Sequence, residues 1–174
     1  STSGVVTALT SNGFYLQDAT GDGDAATSDG IFVFTSTAPT VAVGNAITVT
    51  ATVAEFLQGG ITSRLTMTQL QSPTSIVVTN ASAALPTAVI LGPNGVDRPM
   101  DQIDDDGLTS FDPTTDGIDF WESIEGMLVT VENPVALDAP NTFNEFYVVA
   151  SDGAGNLDAT NVSEYGHLAV DCSF

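Results

Sequence analysis

The segment Gly13–Thr35 constrains the fold of this chain most strongly. Two short apolar segments, Phe14–Gln17 and Ile31–Phe34, flank a glycine-rich loop that carries four aspartates. Aromatic and β-branched residues dominate both flanks, and this composition is typical of strands rather than helices. The sequence therefore predicts two strands joined by an acidic loop.

The acidic loop has the composition of a calcium site. With Asp18 as the first position, oxygen-bearing side chains recur close to the spacing of an EF-hand loop, and Gly23 takes the place of the turn glycine. A bound cation would remove the repulsion among the carboxylates, whereas a solvated acidic turn would need none. The strand-like flanks argue against an EF-hand pair. The predicted ion is Ca²⁺, and the predicted ligands are Asp18, Thr20, Asp22, Asp24 and Asp29.

The charge of the chain is extreme. Its 174 residues include 22 acidic side chains, two arginines and no lysine, for a net charge of −20. Such a chain repels phosphate backbones and anionic lipid surfaces, and it attracts divalent cations. No apolar run is long enough to span a bilayer, and the single cysteine provides no disulfide framework. We expect a segment of a larger protein that is secreted, extracellular or attached to the cell surface.

The first 80 residues contain a series of strand patterns and no helical period. The predicted strands are Val5–Leu9, Phe14–Asp18, Ile31–Thr35, Ile47–Phe56, Leu65–Leu70 and Ile76–Thr79. The predicted fold class is all-β, an OB-like barrel followed by an acidic loop-rich connection, one short helix and further antiparallel strands. The predicted divisions are an OB-like barrel half at 1–80, an acidic Pro/Gly-rich connection at 81–118, and a short helix with strands at 119–174 that complete the same or a neighbouring module.

The sequence of the first half resembles that of a known kind of module. The strand order resembles an OB-fold. More narrowly, the segments GFYLQD, GDGDAATSDGIFVFT and VAVGNAITVTATVAEF, with the later Glu125–Val129, resemble the β-rich accessory domain of secreted bacterial nucleases and phosphoesterases of the endonuclease/exonuclease/phosphatase superfamily. The resemblance covers most of Gly4–Val131. It implies a module without chemistry of its own, because that family's catalysis lies in a separate domain whose His, Asp and Asn signatures this sequence lacks.

Two further acidic stretches are candidate ion sites. The connection 81–118 is interrupted by proline and glycine, so it is either a long loop held by an ion or a disordered acidic linker. Its candidate ligands are Asp104, Asp106, Asp112 and Asp116. A Gly/Asp turn at 151–158 is either a third ion site or a plain hairpin turn. Its candidate ligands are Asp152, Asn156 and Asp158.

One short helix is predicted at 119–126. Asp119 with Glu122 three residues later forms a capping-box pattern, and Gly126 provides an end signal. The helix is interpreted as a plug over a barrel end, with an exposed Trp121 that stacks on bases or sugars as the alternative.

The residues do not favour catalysis. The only histidine is His167, Cys172 has no cationic neighbour in sequence, and the glycine-rich stretches lack the lysine of a phosphate loop. Three functions stay open: a non-catalytic, cation-stabilised β module that positions other modules or subunits of the same protein, a nucleic-acid-binding OB accessory domain, and a structural subunit of a surface layer or filament. Direct nucleic-acid binding is disfavoured by the charge.

Overall fold

The computed structural model describes residues 1–57, 65–96, 99, 102–140, 142, 145–151 and 168–171. Within these ranges the chain forms ten strands and one short helix. The elements are β1 Thr2–Leu9, β2 Gly13–Gln17, β3 Gly30–Phe34, β4 Ala46–Phe56, β5 Met67–Asn80, β6 Val89–Leu91, α1 Gly117–Ser123, β7 Val129–Val131, β8 Val135–Ala136, β9 Glu145–Val149 and β10 Leu168–Asp171. By its contacts the chain divides into two compact units, Ser1–Thr87 with Ser123–Leu128, and Ala88–Glu122 with the described residues of 129–171.

The first unit is a closed barrel with the strand order β1-β2-β3-β5-β4. Antiparallel pairing of β1 with β4, from Thr2 opposite Val49 onward, closes it. The barrel is mixed because β5 runs antiparallel to β4 but parallel to β3. A closed barrel removes most exposed strand edges, which are otherwise sites of unwanted pairing.

Strand β5 is longer than the sequence pattern suggests. The two strands predicted at 65–70 and 76–79 form one strand that pairs with β4 on both sides of an irregularity. Ser72 adopts a left-handed φ of 52°, and Pro73 follows it. Proline has no N–H to donate and is found in sheets at bulges and edges, so the break in the pattern is a kink in one strand.

The barrel interior is filled by side chains that alternate along the strands. Phe14 and Leu16 of β2 point inward together with Ile47 and Val49 of β4, and all four are almost fully buried. The remaining members of this core are Val6, Val33, Val41 and Leu70. The apolar residues of the predicted strands therefore include most of those that form the core of the barrel.

The turn Ser123–Leu128 packs against the barrel strands. The Ser28 hydroxyl donates to the Glu125 carbonyl at 2.6 Å, and the Leu128 N–H donates to the buried Gln17 side-chain oxygen at 2.8 Å. Gly126, with a φ of 72°, lies directly against Gly30 of β3. A later part of the chain thus belongs to the first unit.

The second unit contains α1 and two small sheets. Strands β6 and β7 pair in parallel, and β8, β9 and β10 form an antiparallel sheet. The predicted fold class is confirmed: the part of the chain that the structure describes is mostly β, with one barrel, one short helix and further small sheets. The parallel pair corrects the expectation that all later strands are antiparallel. The predicted divisions at 80 and 118 stay predictions. No helix in the described part of the chain is long and apolar enough to cross a membrane.

The helix begins earlier than predicted. It starts at Gly117, so Asp119 lies in its first turn and the predicted capping box at Asp119 is wrong. The physical reason is a main-chain cap: the Gly117 and Ile118 N–H groups donate to the carbonyls of residues 102 and 103, at 3.1 Å each. Half-buried Trp121 contacts Phe120 edge-on, and the proposed plug role stays a prediction.

Candidate metal centre

Three carboxylates converge in the second unit. Asp104, Asp106 and Asp116 each offer one carboxylate oxygen, and these oxygens lie within 4.8 Å of one another. They are three of the four residues predicted for the ion site in the connection. The cluster could hold a metal ion, and hard divalent cations favour carboxylate oxygens.

The backbone of the following loop fixes the Asp104 side chain. Its Oδ1 accepts the N–H groups of Asp106, Gly107 and Leu108 at 3.2, 3.1 and 3.2 Å. Gly107 and Leu108 both adopt left-handed φ angles, 74° and 62°. This conformation is uncommon for a leucine, and it turns successive N–H groups towards one oxygen.

Asp106 is held in the same way and stays charged. Its two carboxylate oxygens accept the N–H groups of Thr109 at 2.9 Å and Ser110 at 2.7 Å. These bonds, that from Thr109 first, hold the pKa of Asp106 below its ordinary value. Both acids of the loop are therefore held in fixed orientations by hydrogen bonds from the backbone.

Asp116 is the buried member of the cluster. It immediately precedes α1, where an aspartate ordinarily accepts N–H groups of the first helical turn. Here two of those N–H groups are already bound by the carbonyls of Gln102 and Ile103. Asp116 is only 2% exposed, and its Oδ1 is buried with no hydrogen-bond partner. A buried carboxylate oxygen of this kind is costly unless a cation or a proton binds it.

The surroundings of Asp116 are acidic. Burial raises its pKa most, the charges of Asp105, Asp104 and Asp119 raise it further, and a backbone hydrogen bond from Asp105 acts in the opposite direction. A bound cation would relieve the repulsion among these carboxylates.

The fourth predicted ligand, Asp112, lies outside the cluster of three. Its carboxylate accepts the Thr114 hydroxyl at 2.7 Å, which lowers its pKa. Its own N–H donates to the carboxylate of buried Asp119 at 2.6 Å. Asp112 thus holds the segment before the helix in place, and its role as a ligand stays a prediction.

The acidic loop between β2 and β3 is organised differently. Its carboxylates accept N–H groups of the same loop: Thr20 donates to Asp18, Asp24 to Asp22, and Asp22 to Asp29. The Asp24 N–H, and then the Thr27 hydroxyl at 2.9 Å, lower the pKa of Asp22. In the described residues these acids do not form a second group of three within 4.8 Å. The ion site predicted at Asp18, Thr20, Asp22, Asp24 and Asp29 stays a prediction.

The third predicted set falls outside the described residues. Asp152, Asn156 and Asp158 belong to it, and His167 and Cys172 lie outside those ranges as well.

Comparison with known proteins identifies the family. Residues 77–171, just over half of the chain, match a domain of unknown function, DUF8508. The chain belongs to this family. Searches of the curated proteins and of the solved structures found no match. All three residues of the cluster lie inside the DUF8508 segment, so the candidate site belongs to the part of the chain that defines the family.

We expect Asp116 to give the cation-free protein a distinctive pH dependence. Its pKa in the folded state is raised above 3.8, so the stability it contributes is fully present below pH 3.8 and is lost as the pH rises through the folded pKa. In EDTA, the wild type is expected to lose stability relative to Asp116→Asn as the pH rises from 3.8 towards neutrality. Urea unfolding of both proteins across this range checks it, and a constant difference would contradict it.

Proposed function

We propose that this DUF8508 protein is a non-catalytic β module stabilised by a divalent cation. The module would belong to a larger secreted or surface protein and would position neighbouring domains or subunits. The observation that carries the proposal is the buried carboxylate of Asp116, whose Oδ1 has no hydrogen-bond partner, in the cluster of Asp104, Asp106 and Asp116. An oxygen in this position is suited to a cation.

The proposed role of the ion is mechanical. Asp104 and Asp106 belong to the loop 104–110, whereas Asp116 immediately precedes α1. One ion shared by these side chains would tie the loop to the helix and neutralise the repulsion between them. A ligand that binds only the folded state stabilises it by about 2.7 kcal/mol when its free concentration is a hundred times its Kd.

An extracellular setting is supported by the charge of the chain. The chain contains no lysine and carries a net charge of −20, which keeps it soluble and concentrates cations around it. Calcium sites of extracellular modules bind with Kd values of about 10⁻⁴ to 10⁻³ M. A site of modest affinity would therefore be filled wherever the surrounding fluid holds millimolar calcium.

Thermal melting tests this proposal. For a chain of this length, about 2.7 kcal/mol corresponds to a rise in Tm of roughly 5–10 °C. We expect such a rise when saturating Ca²⁺ replaces EDTA, and we expect Asp116→Asn to abolish most of it. Asp138→Asn is the matched control, because it removes the same charge from an exposed residue outside the cluster. An identical melting curve in EDTA and in Ca²⁺ would reject the proposal.

A second candidate is an OB-type accessory domain that binds single-stranded nucleic acid beside a nuclease. The closed five-strand barrel supports it, since OB barrels bind oligonucleotides on their strand faces. The DUF8508 match carries no link to nucleases, and the charge of the chain opposes contact with phosphates. Titration of labelled single-stranded DNA with and without Ca²⁺ tests it, and absence of binding in both buffers would end it.

A third candidate is a structural subunit of a surface layer or filament. Apolar side chains on β4 and β5, among them Val53 at 65% exposure and Val77 at 52%, support it. Large exposed apolar patches often mark interaction sites. Electron microscopy of material from the native source would reveal such an assembly, and monomers alone would count against it.

A further inference from the structure

The cluster of Asp104, Asp106 and Asp116 has features that discriminate between divalent cations. An acidic cluster alone is common on protein surfaces, but this one includes a carboxylate that is 2% exposed and an oxygen that lacks a partner. We infer that the site selects Ca²⁺ over Mg²⁺. This inference rests on the proposed function, because it assumes that a divalent cation binds there.

The donor set selects hard cations first. The cluster supplies three carboxylates and neither a thiolate nor an imidazole. Zinc sites in proteins are built mainly from cysteine and histidine, whereas calcium and magnesium take oxygen ligands. Selectivity between calcium and magnesium depends on the number of protein ligands and on the loss of bound water.

Burial of Asp116 disfavours Mg²⁺. An ion that binds its Oδ1 directly must lose water on that side, because the oxygen is closed off from solvent. Magnesium gives up its water reluctantly and usually binds proteins through one or two carboxylates. Calcium accepts six to eight oxygens in variable geometry, so three carboxylates on the protein side and water on the half-exposed side of Asp104 and Asp106 suit it.

The fixed positions of the loop carboxylates also favour Ca²⁺ over Mg²⁺. Asp104 accepts three backbone N–H groups and Asp106 accepts two, so closing tightly around a small ion would break some of these bonds. Oxygens on opposite sides of an ion are about 4.6–5.2 Å apart for Ca²⁺ and about 4.0–4.2 Å apart for Mg²⁺, twice the metal–oxygen distances. The three oxygens of the cluster lie within 4.8 Å of one another, a spacing that is compatible with a calcium shell.

The helix provides a spectroscopic reporter for the test. Trp121 is the only tryptophan of the chain, and it lies five residues after Asp116 along α1, an axial rise of about 7.5 Å. Tb³⁺ binds oxygen ligands as Ca²⁺ does, and a nearby excited tryptophan sensitises its emission. Tb³⁺ is therefore added to the full chain after removal of metals, and Ca²⁺ and Mg²⁺ are titrated as competitors.

We expect Ca²⁺ to displace Tb³⁺ at concentrations at least tenfold lower than Mg²⁺ does. Asp116→Asn and, separately, Asp104→Asn are expected to weaken Tb³⁺ binding at least tenfold, whereas Asp138→Asn leaves it unchanged. Circular dichroism checks that each variant is folded. Two ligand variants are used so that the test still stands if one of them does not fold.

The outcomes separate the two proposals. Equal competition by Mg²⁺ would overturn the selectivity and leave the cation-stabilised module standing. Tb³⁺ binding that survives both ligand variants would overturn this site. If neither Tb³⁺ emission nor the melting temperature responds to any of these cations, the selectivity and the proposed function fail together.

Discussion

Replacing Phe14 with alanine is expected to cost about 3–5 kcal/mol of stability, which is enough to unfold a typical domain or leave it marginal. Phe14 lies in β2, is 0% exposed and belongs to the hydrophobic core of the barrel. Its removal leaves a cavity that neighbours on paired strands cannot fill without breaking their register. The loss combines the transfer free energy of the ring with the cost of that cavity.

Urea unfolding followed by circular dichroism measures this effect. Phe56→Ala is the matched control, because it removes the same atoms from the end of β4, where the side chain is 44% exposed. We expect the control to cost less than about 1 kcal/mol. A shift of the midpoint at constant slope reports a true loss of stability. Equal losses in the two variants would contradict the placement of Phe14 at the centre of the core.

Replacing Gly30 with alanine is expected to cost about 3 kcal/mol, the upper end of the usual range for overpacking. A Cβ atom at this position would lie 2.5 Å from the Gly126 carbonyl group and 2.6 Å from the Met127 nitrogen. All of these atoms are backbone, so no flexible side chain can move aside. The turn Ser123–Leu128 would have to shift from β3, which would strain its bonds to Ser28 and Gln17.

The control for this change is Gly23→Asn. Nothing lies within 4 Å of a Cβ atom at Gly23, and asparagine tolerates its left-handed φ of 82° better than other side chains do. We expect a loss below about 1 kcal/mol. Both variants are melted in EDTA, so that any ion in the acidic loop does not affect the comparison. A Gly30→Ala protein as stable as the wild type would refute the close approach of these two backbones.

The sequence predicts the strands of the barrel well because burial there follows local alternation. The strand predicted at Phe14–Asp18 corresponds to β2, and its residues Phe14 and Leu16 are buried together. Barrel closure is harder to predict from the sequence. The pairing of Thr2 with Val49 and the parallel register of β3 with β5 depend on contacts between distant segments. The continuity of β5 was hidden by Pro73, which local rules treat as a break.

The candidate site is predictable only in part. Local acid density is enough to single out Asp104, Asp106 and Asp116, but it also singled out the loop after β2. The two loops differ in their backbones and in their distant partners, which composition does not encode. Oδ1 of Asp116 has no hydrogen-bond partner, and the first two N–H groups of the helix bind the carbonyls of residues 102 and 103. A local reading placed the cap at Asp119 instead. Asp116 could be recognised by a search for buried acids that precede a helix whose first N–H groups bind main-chain carbonyls.

The interleaving of the two units has a consequence for synthesis on the ribosome. The first unit is completed by Ser123–Leu128, and the Leu128 N–H binds Gln17 more than a hundred positions upstream. The barrel strands therefore emerge well before the segment that finishes their packing, and the whole of 88–122 must be translated in between. Because each unit is built from two separate segments of the chain, a single truncation cannot isolate either unit intact. The DUF8508 boundary at Val77 even divides β5, so we expect gene fusions that transplant residues 77–171 alone to carry a severed strand into their host.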